Sequence, residues 1–492
     1  MKRFQIRNFC SIRRGLFILF FTILFLLRLY KLGYHDFWYD EIFTISYAKH
    51  PWSNWNAPFY WILLHSWIKL FGISEFSLRF PSLIFSFLSV ILIFFLGRDL
   101  FNKRVGICAA LIMGVSPFHL WYAQEARDYS LILFLGLLSS YFLFKAIKRG
   151  KAKFWLVFIL SSVLGIYTNY FFIFLFIAQI LYIFVFFKKL KLNLKNMIPF
   201  LIIGLCFLPY LERFLSKFFY VWGGFWIPCP SFKSIIITIE TFILGYNVNS
   251  FLYLAAGILA TIFFIRAMIN LRDRGLRFNL IFCLFLFLIP IVSIFIFSKI
   301  LFSVYLDRTF IIFSPYFYLI LSLGIVSLGK YLKLPMFVLF LFLLFTSDYA
   351  YFKDWMPTVL DHHMGTYIKK PVRPIVQFIN RNRKKEDLVA FTNPCVAVPF
   401  KYYSEKRGFY YFFDPEISDS SWGRPVRASK YRIPFHRINS LNFKRLWIIA
   451  SNWARDGNLD ENSSAVKGWL DENFKLSYSQ KMDGVWIFRY EY

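Results

Sequence analysis

Acidic residues are the scarce ingredient of this chain. Asp and Glu number 27 against 57 Lys and Arg over 492 residues, and only 11 of the acids precede residue 348. Charged residues of both signs make up 17%, where water-soluble domains carry about 25%, so an ordinary soluble globular domain is excluded. Cysteine is scarce as well. Cys10, Cys108, Cys206, Cys229, Cys283 and Cys395 show neither CxxC nor metal spacing, and most read as small hydrophobes in apolar runs. Neither GxGxxG nor GxxxxGK(S/T) occurs, so no loop for a soluble nucleotide donor is visible. His119 and the pair His362-His363 do not make a spaced metal cluster.

What is present in excess is apolar surface: 58% hydrophobic residues, 66 of them Phe, and a mean hydropathy of +0.53. Uncharged apolar runs of roughly 18 residues recur, the signature of a polytopic α-helical membrane protein. The net charge of +30 does not point to nucleic acid, because the basic residues cluster in short loops between apolar runs, as the positive-inside rule describes. Lys2, Arg3, Arg7, Arg13 and Arg14 place the N-terminus in the cytoplasm, and no small-residue cleavage site follows, so the first run is expected to be a retained span with Arg28 and Lys31 snorkelling at its outer end. Eleven spans, N-in and C-out, are expected between residues 16 and 347, with an interfacial apolar segment at 58–71. The remainder, 348–492, carries 23 basic and 16 acidic residues. It reads as a small extracytoplasmic α/β domain, with strands at 388–391, 446–450 and 485–488, helices at 375–380 and 465–474, and turns at Asn393-Pro394 and Asp456-Gly457. Cys229 and Cys395 are the cysteines expected outside; a disulfide between them has no support.

This topology sorts the acids. Only Asp99 and Asp273 of the eleven fall inside; the others sit at outer ends of spans. Asp36, Glu75 and Glu240 are read as acids tolerated in water. Asp40, Glu41, Glu125 and Asp128 lie in short loops at the bilayer surface and are read as functional. Glu125 and Asp128, three apart, would share one face of a continuing helix. Arg127 between them could pair with either or meet a phosphate. Arg308 opens an inward-running span, where helix amides also favour an anion, so it reads equally as a phosphate clamp or as a snorkelling interface residue. Trp38, Tyr39, Trp52 and Trp55 could stack on sugars, although interfacial anchoring is the commoner role.

Several stretches in order carry a resemblance. They are Phe37-Trp38-Tyr39-Asp40-Glu41, Asn56-Ala57-Pro58-Phe59-Tyr60-Trp61, Leu70-Phe71-Gly72, Arg79-Phe80-Pro81-Ser82, Tyr122-Ala123-Gln124-Glu125-Ala126-Arg127-Asp128-Tyr129, Tyr167-Thr168-Asn169-Tyr170, and Asp307-Arg308 followed by Pro315. Over about residues 16–330 the chain resembles the GT-C glycosyltransferases, the bacterial relatives of protein O-mannosyltransferases and lipid A aminoarabinose transferases. The resemblance implies a transmembrane glycosyltransferase domain at 1–347 in the cell (inner) membrane, with its active site facing outside or into the periplasm. It implies a polyprenyl-phosphate-linked hexose or pentose as donor and a glycan, lipid or protein hydroxyl as acceptor. Asp40 would be the general base with Glu41 as helper, and Glu125, Arg127, Asp128, Tyr129 and Arg308 would bind donor phosphate and substrate. Two departures, Asn56-Ala57-Pro58 and Asn169, stand where relatives carry His or charged residues. They leave a divalent metal unsupported, and no cofactor is called for with certainty. The rival readings are a lipid-linked sugar flippase, which would place ionisable groups near span centres, and a polysaccharide polymerase or ligase.

Overall fold

The structure, a computed structural model, describes residues 2–52, 57–224, 227–246, 249–355, 369, 371–404, 409–413, 432–441, 443–451, 459–482 and 484–491. Trp55, Asn56, His362, His363 and the Asp456-Gly457 turn lie outside the described residues.

In lipid a chain must satisfy its backbone internally, and the apolar runs do so as helices. The first part comprises α1 (Lys2–Leu29), α2 (Tyr39–Lys49), α3 (Phe59–Phe71), α4 (Glu75–Leu100), α5 (Lys103–Gly114), α6 (Pro117–Ala123), α7 (Tyr129–Arg149), α8 (Ala152–Ile166) and α9 (Phe172–Phe186). It continues with α10 (Ile198–Phe207), α11 (Leu211–Trp222), α12 (Phe232–Leu244), α13 (Ser250–Ile269), α14 (Arg274–Ile300), α15 (Ser314–Ser327) and α16 (Lys330–Phe352). Among the described residues, six helical segments are long and apolar enough to cross a membrane: α4, α7, the 194–222 segment, the 250–272 segment, α14 and α16. The α5–α6 pair passes the same test as one element bent by 61°, and 15–29, α8, α9 and α15 are shorter apolar helices. In chain order these segments follow the apolar runs of the sequence.

Dispersion packing and buried polar pairs hold the bundle together, since lipid gives helices no hydrophobic reason to associate. Ser139 of α7 meets Ser162 of α8 at 2.9 Å, Ser140 meets Tyr316 of α15 at 2.6 Å, and Gln179 of α9 donates to Ser140 at 3.0 Å. Such bonds average roughly 0.6 kcal/mol each. Phe287 of α14 stacks on Phe317 of α15 with centroids 5.2 Å apart. Where α13 and α15 cross, Gly324 is required: a Cβ there would lie 1.8 Å from the Phe263 carbonyl oxygen.

Three local expectations are corrected. The loop at 33–80 contains two helices, α2 and α3; the inward face of α2, Glu41, Thr44, Ile45 and Ala48, is half polar, so no apolar periodicity marks it in the sequence. The third span is broken at Val115, where Ser116 caps α6 and Pro117 follows as its first residue. Arg28 does not snorkel. It is buried, donating to Ser86 Oγ at 3.0 Å and to the carbonyls of Leu24, Gly114 and Met113 at 3.0, 2.7 and 3.2 Å. The carbonyls of Met113 and Gly114 are those that the break leaves without helical partners.

The C-terminal part contains α17 (Arg373–Asn382), β1 (Leu388–Phe391), α18 (Pro394–Tyr403), β2 (Phe409–Phe413), β3 (Arg432–Pro434), β4 (Arg445–Ser451), α19 (Glu461–Asn473), β5 (Lys475–Met482) and β6 (Val485–Glu491). The sheet order is β3-β2-β1-β4-β6-β5. The first four strands are parallel, and β6 runs antiparallel to both β4 and β5. Central β4 alternates between two cores: Trp447 and Ile449 face α17 and α18, while Leu446 and Ile448 face α19. A strand buried on both faces reads as a continuous apolar run, which is why it was visible in sequence. Asn393-Pro394 is not a turn between strands. Asn393 Oδ1 caps α18 by accepting from Cys395 N at 2.8 Å, with Pro394 as the first helical residue.

Candidate active site

The site is built around α2, which opens with the adjacent carboxylates Asp40 and Glu41. Successive helical residues point about 100° apart, so the two acids face different surroundings. Glu41 turns into the protein and is completely buried. Its oxygens accept from Arg79 Nε at 2.8 Å and Nη2 at 2.7 Å, from Ala126 N at 2.9 Å and from Trp38 N at 3.4 Å. Burial alone would raise this carboxyl, but Arg79, Lys369 and the amide of Ala126 hold it down at about 2. Arg79 is itself anchored on the carbonyls of Leu32, His35 and Asp36. Every lone pair of this pair is answered from within the protein.

Asp40 turns the other way, and its side chain keeps 19% of its exposure. One oxygen lies 3.4 Å from Arg308 Nη1 and 4.0 Å from Arg127 Nη2. Arg308 comes from a 3₁₀ turn, Asp307–Ile312, just before α15 rather than from the first turn of the helix, and its backbone N–H donates to Asp307 Oδ1 at 2.7 Å. Arg127 lies in the loop between α6 and α7 and approaches Thr44 Oγ1 at 3.4 Å and the Asp40 carbonyl at 3.5 Å. Burial works against both guanidinium charges; Tyr129 and Asp40 outweigh it at Arg308, and Asp40 does so at Arg127, so both are held firmly protonated.

The loop at 124–128 is not helical, so Glu125 and Asp128 share no helix face, contrary to expectation. Asp128 stands at the N-cap position of α7, where its side chain bonds none of the helix amides and instead accepts from Asn169 Nδ2 at 2.8 Å; burial pushes its carboxyl up, against the pull of Arg127. Asn169, the departure in the tyrosine-rich motif, therefore has a defined part here. Glu125 is buried, and its Oε1 has no hydrogen-bond partner among the described residues. Burial raises it to about 7, with Lys369 opposing. Lys369, whose Nζ donates to the Gln124 carbonyl, is lowered by burial to about 8. Tyr129 is buried beside Arg127, whose guanidinium lies 5.8 Å from its ring centre.

The structure thus brings Asp40, Arg127 and Arg308 together, with Asp128 and Tyr129 beside them, and sends Glu41 to the opposite side. Trp38 is buried against Cys395 of α18, whereas Trp52 is exposed. Arg79 and Lys369 were not singled out from the sequence. Arg79 lay inside a quoted motif, but nothing in the order of residues said which carboxylate it meets. Among the described residues no group of three or more His, Cys, Asp or Glu side chains converges as a metal site.

An apolar helical bundle with two arginines facing one carboxylate at its polar end can be compared with known proteins. ArnT from Cupriavidus metallidurans superposes in its apo state with a TM-score of 0.61 at 11% identity, covering 97% of this chain and 98% of that one. The chain has the fold of that ArnT. The same ArnT bound to undecaprenyl phosphate matches equally well, with a TM-score of 0.61, 11% identity, and 96% and 98% coverage. A second likeness is to the apo oligosaccharyltransferase of Archaeoglobus fulgidus, with a TM-score of 0.52 at 10% identity, covering 88% of this chain and 69% of that one. The family model described as dolichyl-phosphate-mannose-protein mannosyltransferase matches residues 49–212. That segment includes Glu125, Arg127, Asp128 and Asn169, while Asp40 and Arg308 lie on either side of it. No curated protein sequence matches the chain.

Proposed function

We propose that this protein transfers a hexosyl or pentosyl group from a polyprenyl-phosphate donor to an acceptor hydroxyl on the extracytoplasmic face of the cell membrane. The observation that carries the reading is Asp40, held open between Arg308 at 3.4 Å and Arg127 at 4.0 Å at one end of an apolar bundle. The likeness to an ArnT bound to undecaprenyl phosphate supports a lipid phosphate as the donor group. Basic loops at the other end of the helices support the N-in, C-out topology with eleven spans, and with it the division into a membrane domain at 1–347 and an outer domain at 348–492.

The donor phosphate competes with Asp40 for the same cations. When it takes Arg308, and in part Arg127, the Asp40 carboxylate is released from those contacts and is free to turn to the acceptor hydroxyl. Asp40 then removes the acceptor hydroxyl proton as the new bond to the anomeric carbon forms. The bond from that carbon to the phosphate oxygen breaks on the opposite side, so the configuration inverts. The leaving polyprenyl phosphate keeps its charge, which the two arginines stabilise. Glu41, closed in its pair with Arg79, fixes the pitch of α2 and takes no proton. The lipid tail lies along the apolar helices.

The test is Asp40→Asn in membranes supplied with a polyprenyl-phosphate sugar and a defined acceptor. Transfer should disappear while the amount of inserted protein stays the same; undiminished transfer sinks the assignment.

A further inference from the structure

The C-terminal part reaches back to the segment just before Asp40 and holds it residue by residue. Asp36 Oδ2 accepts the N–H groups of Val372 at 2.7 Å and Arg373 at 2.8 Å, so a carboxylate from the membrane part caps α17. Its other oxygen lies 3.1 Å from Arg373 Nη1. Glu75, the first residue of α4, accepts from Arg373 Nη2 and from the Tyr403 hydroxyl. That hydroxyl in turn accepts the N–H of Phe37 at 2.7 Å. The Arg373 guanidinium lies 4.6 Å above the Tyr403 ring, and Tyr402 meets the Phe37 ring edge-on at 5.8 Å. Trp38 and Tyr39 pack against Cys395, and α18 lies along α2. On the neighbouring loop, Lys369 donates to the carbonyl of Gln124.

Every residue from Asp36 to Tyr39 is therefore gripped by the C-terminal part, and the next residue is Asp40. The acids that do this, Asp36 and Glu75, were expected to be idle in water; their side chains are only 8% and 10% exposed. Their partner Arg373 keeps 44% of its side-chain exposure, so it is the carboxylates that are enclosed. A loop needing no fixed position would not require a helix-capping carboxylate, a shared tyrosine hydroxyl and packed rings on four consecutive residues.

We propose that the C-terminal part is a positioning element of the active site, with Arg373 and Tyr403 setting where Asp40 stands relative to Arg308. The proposal rests on Asp40 as the base. Displacing a catalytic group by about 1 Å costs about 100-fold in rate even when the change lies far from the chemistry. Neither Arg373 nor Tyr403 touches the space between Asp40 and Arg308, so they act through the backbone of 36–39.

The test uses the full-length membrane protein carrying Arg373→Ala, Tyr403→Phe or both, with Arg373→Lys as the conservative control. Tyr403→Phe keeps the ring and removes only the hydroxyl, so it reports even if Arg373→Ala fails to fold. The expected result is a fall in kcat of about 100-fold in the double variant, little change in KM for the donor, and substantial recovery in Arg373→Lys. Hydrogen exchange read by mass spectrometry over residues 36–45 should rise in the variants that lose activity. Unchanged exchange there overturns the proposal, as does raised exchange with unchanged kcat in a protein whose Asp40→Asn variant is inactive. If Asp40→Asn instead retains full transfer, the base assignment falls and this proposal falls with it, while raised exchange would still separate that outcome from a failure of the clamp.

Discussion

The two sides of α2 are made of the same materials and do opposite work. On each, a carboxylate meets arginine. Glu41 and Arg79 share two short bonds, 2.7 and 2.8 Å, with no access to water and with all remaining donors directed at carbonyls. Asp40 faces two arginines at 3.4 and 4.0 Å and keeps part of its surface open. A closed pair fixes structure, because breaking it strands a charge in a low-dielectric interior. A loose pair can be taken apart by an incoming anion, and that is the property a transferase needs of it. Distance and exposure, more than residue type, separate the two.

The comparison breaks most sharply at Asp40. Asp40→Asn should reduce transfer by about 10²–10⁴-fold with no change in the thermal unfolding of purified protein; a stability loss matching the activity loss would make the two sides alike. The mirror experiment is Arg79→Met, which leaves Glu41 buried and unpaired. A destabilisation of about 3–5 kcal/mol is expected, seen as loss of detergent-stable protein, and the double change Glu41→Leu with Arg79→Met should recover much of it. Arg79→Met with wild-type stability would show that the closed pair is not closed in function.

Smaller effects sharpen the contrast. Arg308→Lys keeps the charge but loses the forked geometry, and should raise the donor KM about tenfold, the scale of one charge-assisted hydrogen bond. On the closed side the effect is one of acid stability. Glu41 is depressed from 4.5 to about 2, so its contribution is complete above pH 4.5 and is lost as pH falls through about 2. Glu41→Gln should remove that part of the acid unfolding profile. Glu125 faces Lys369, Glu41 and Asp40, and burial raises its carboxyl toward the neutral range against the pull of Lys369. Glu125→Gln should therefore flatten any change in transfer rate around pH 7, the mildest of these outcomes.

Much of this was open to reading in the sequence, for a physical reason in each case. The apolar runs were visible because lipid tolerates nothing else. Asp40 stood out because acids are rare in the first 347 residues. What escaped detection was whatever depends on direction rather than order. Asp40 and Glu41 are neighbours in the chain, and only the helix through them, with Arg79 waiting on one side, separates the proposed base from the strut. Lys369 is about 240 residues from the loop it meets. The edge strand β5, with its sequence Lys-Leu-Ser-Tyr-Ser-Gln-Lys-Met, shows no apolar pattern because most of its side chains are exposed and only Tyr478 and Met482 pack against the core. The polar grip of Asp36 and Glu75 looked like ordinary solvation, since a capping carboxylate and a solvated one have the same sequence.

Arg28 carries a consequence for how the bundle closes. It belongs to α1, yet its partners are Ser86 of α4, the carbonyls of Met113 and Gly114 at the end of α5 and, as a nearby charge, Asp348 near the end of α16. A guanidinium enclosed by protein is costly unless its N–H groups find acceptors. Those acceptors belong to α4 and α5, so the Arg28 end of α1 has no complete setting until both have packed against it. One side chain thus ties the closing of α1 to segments far along the chain.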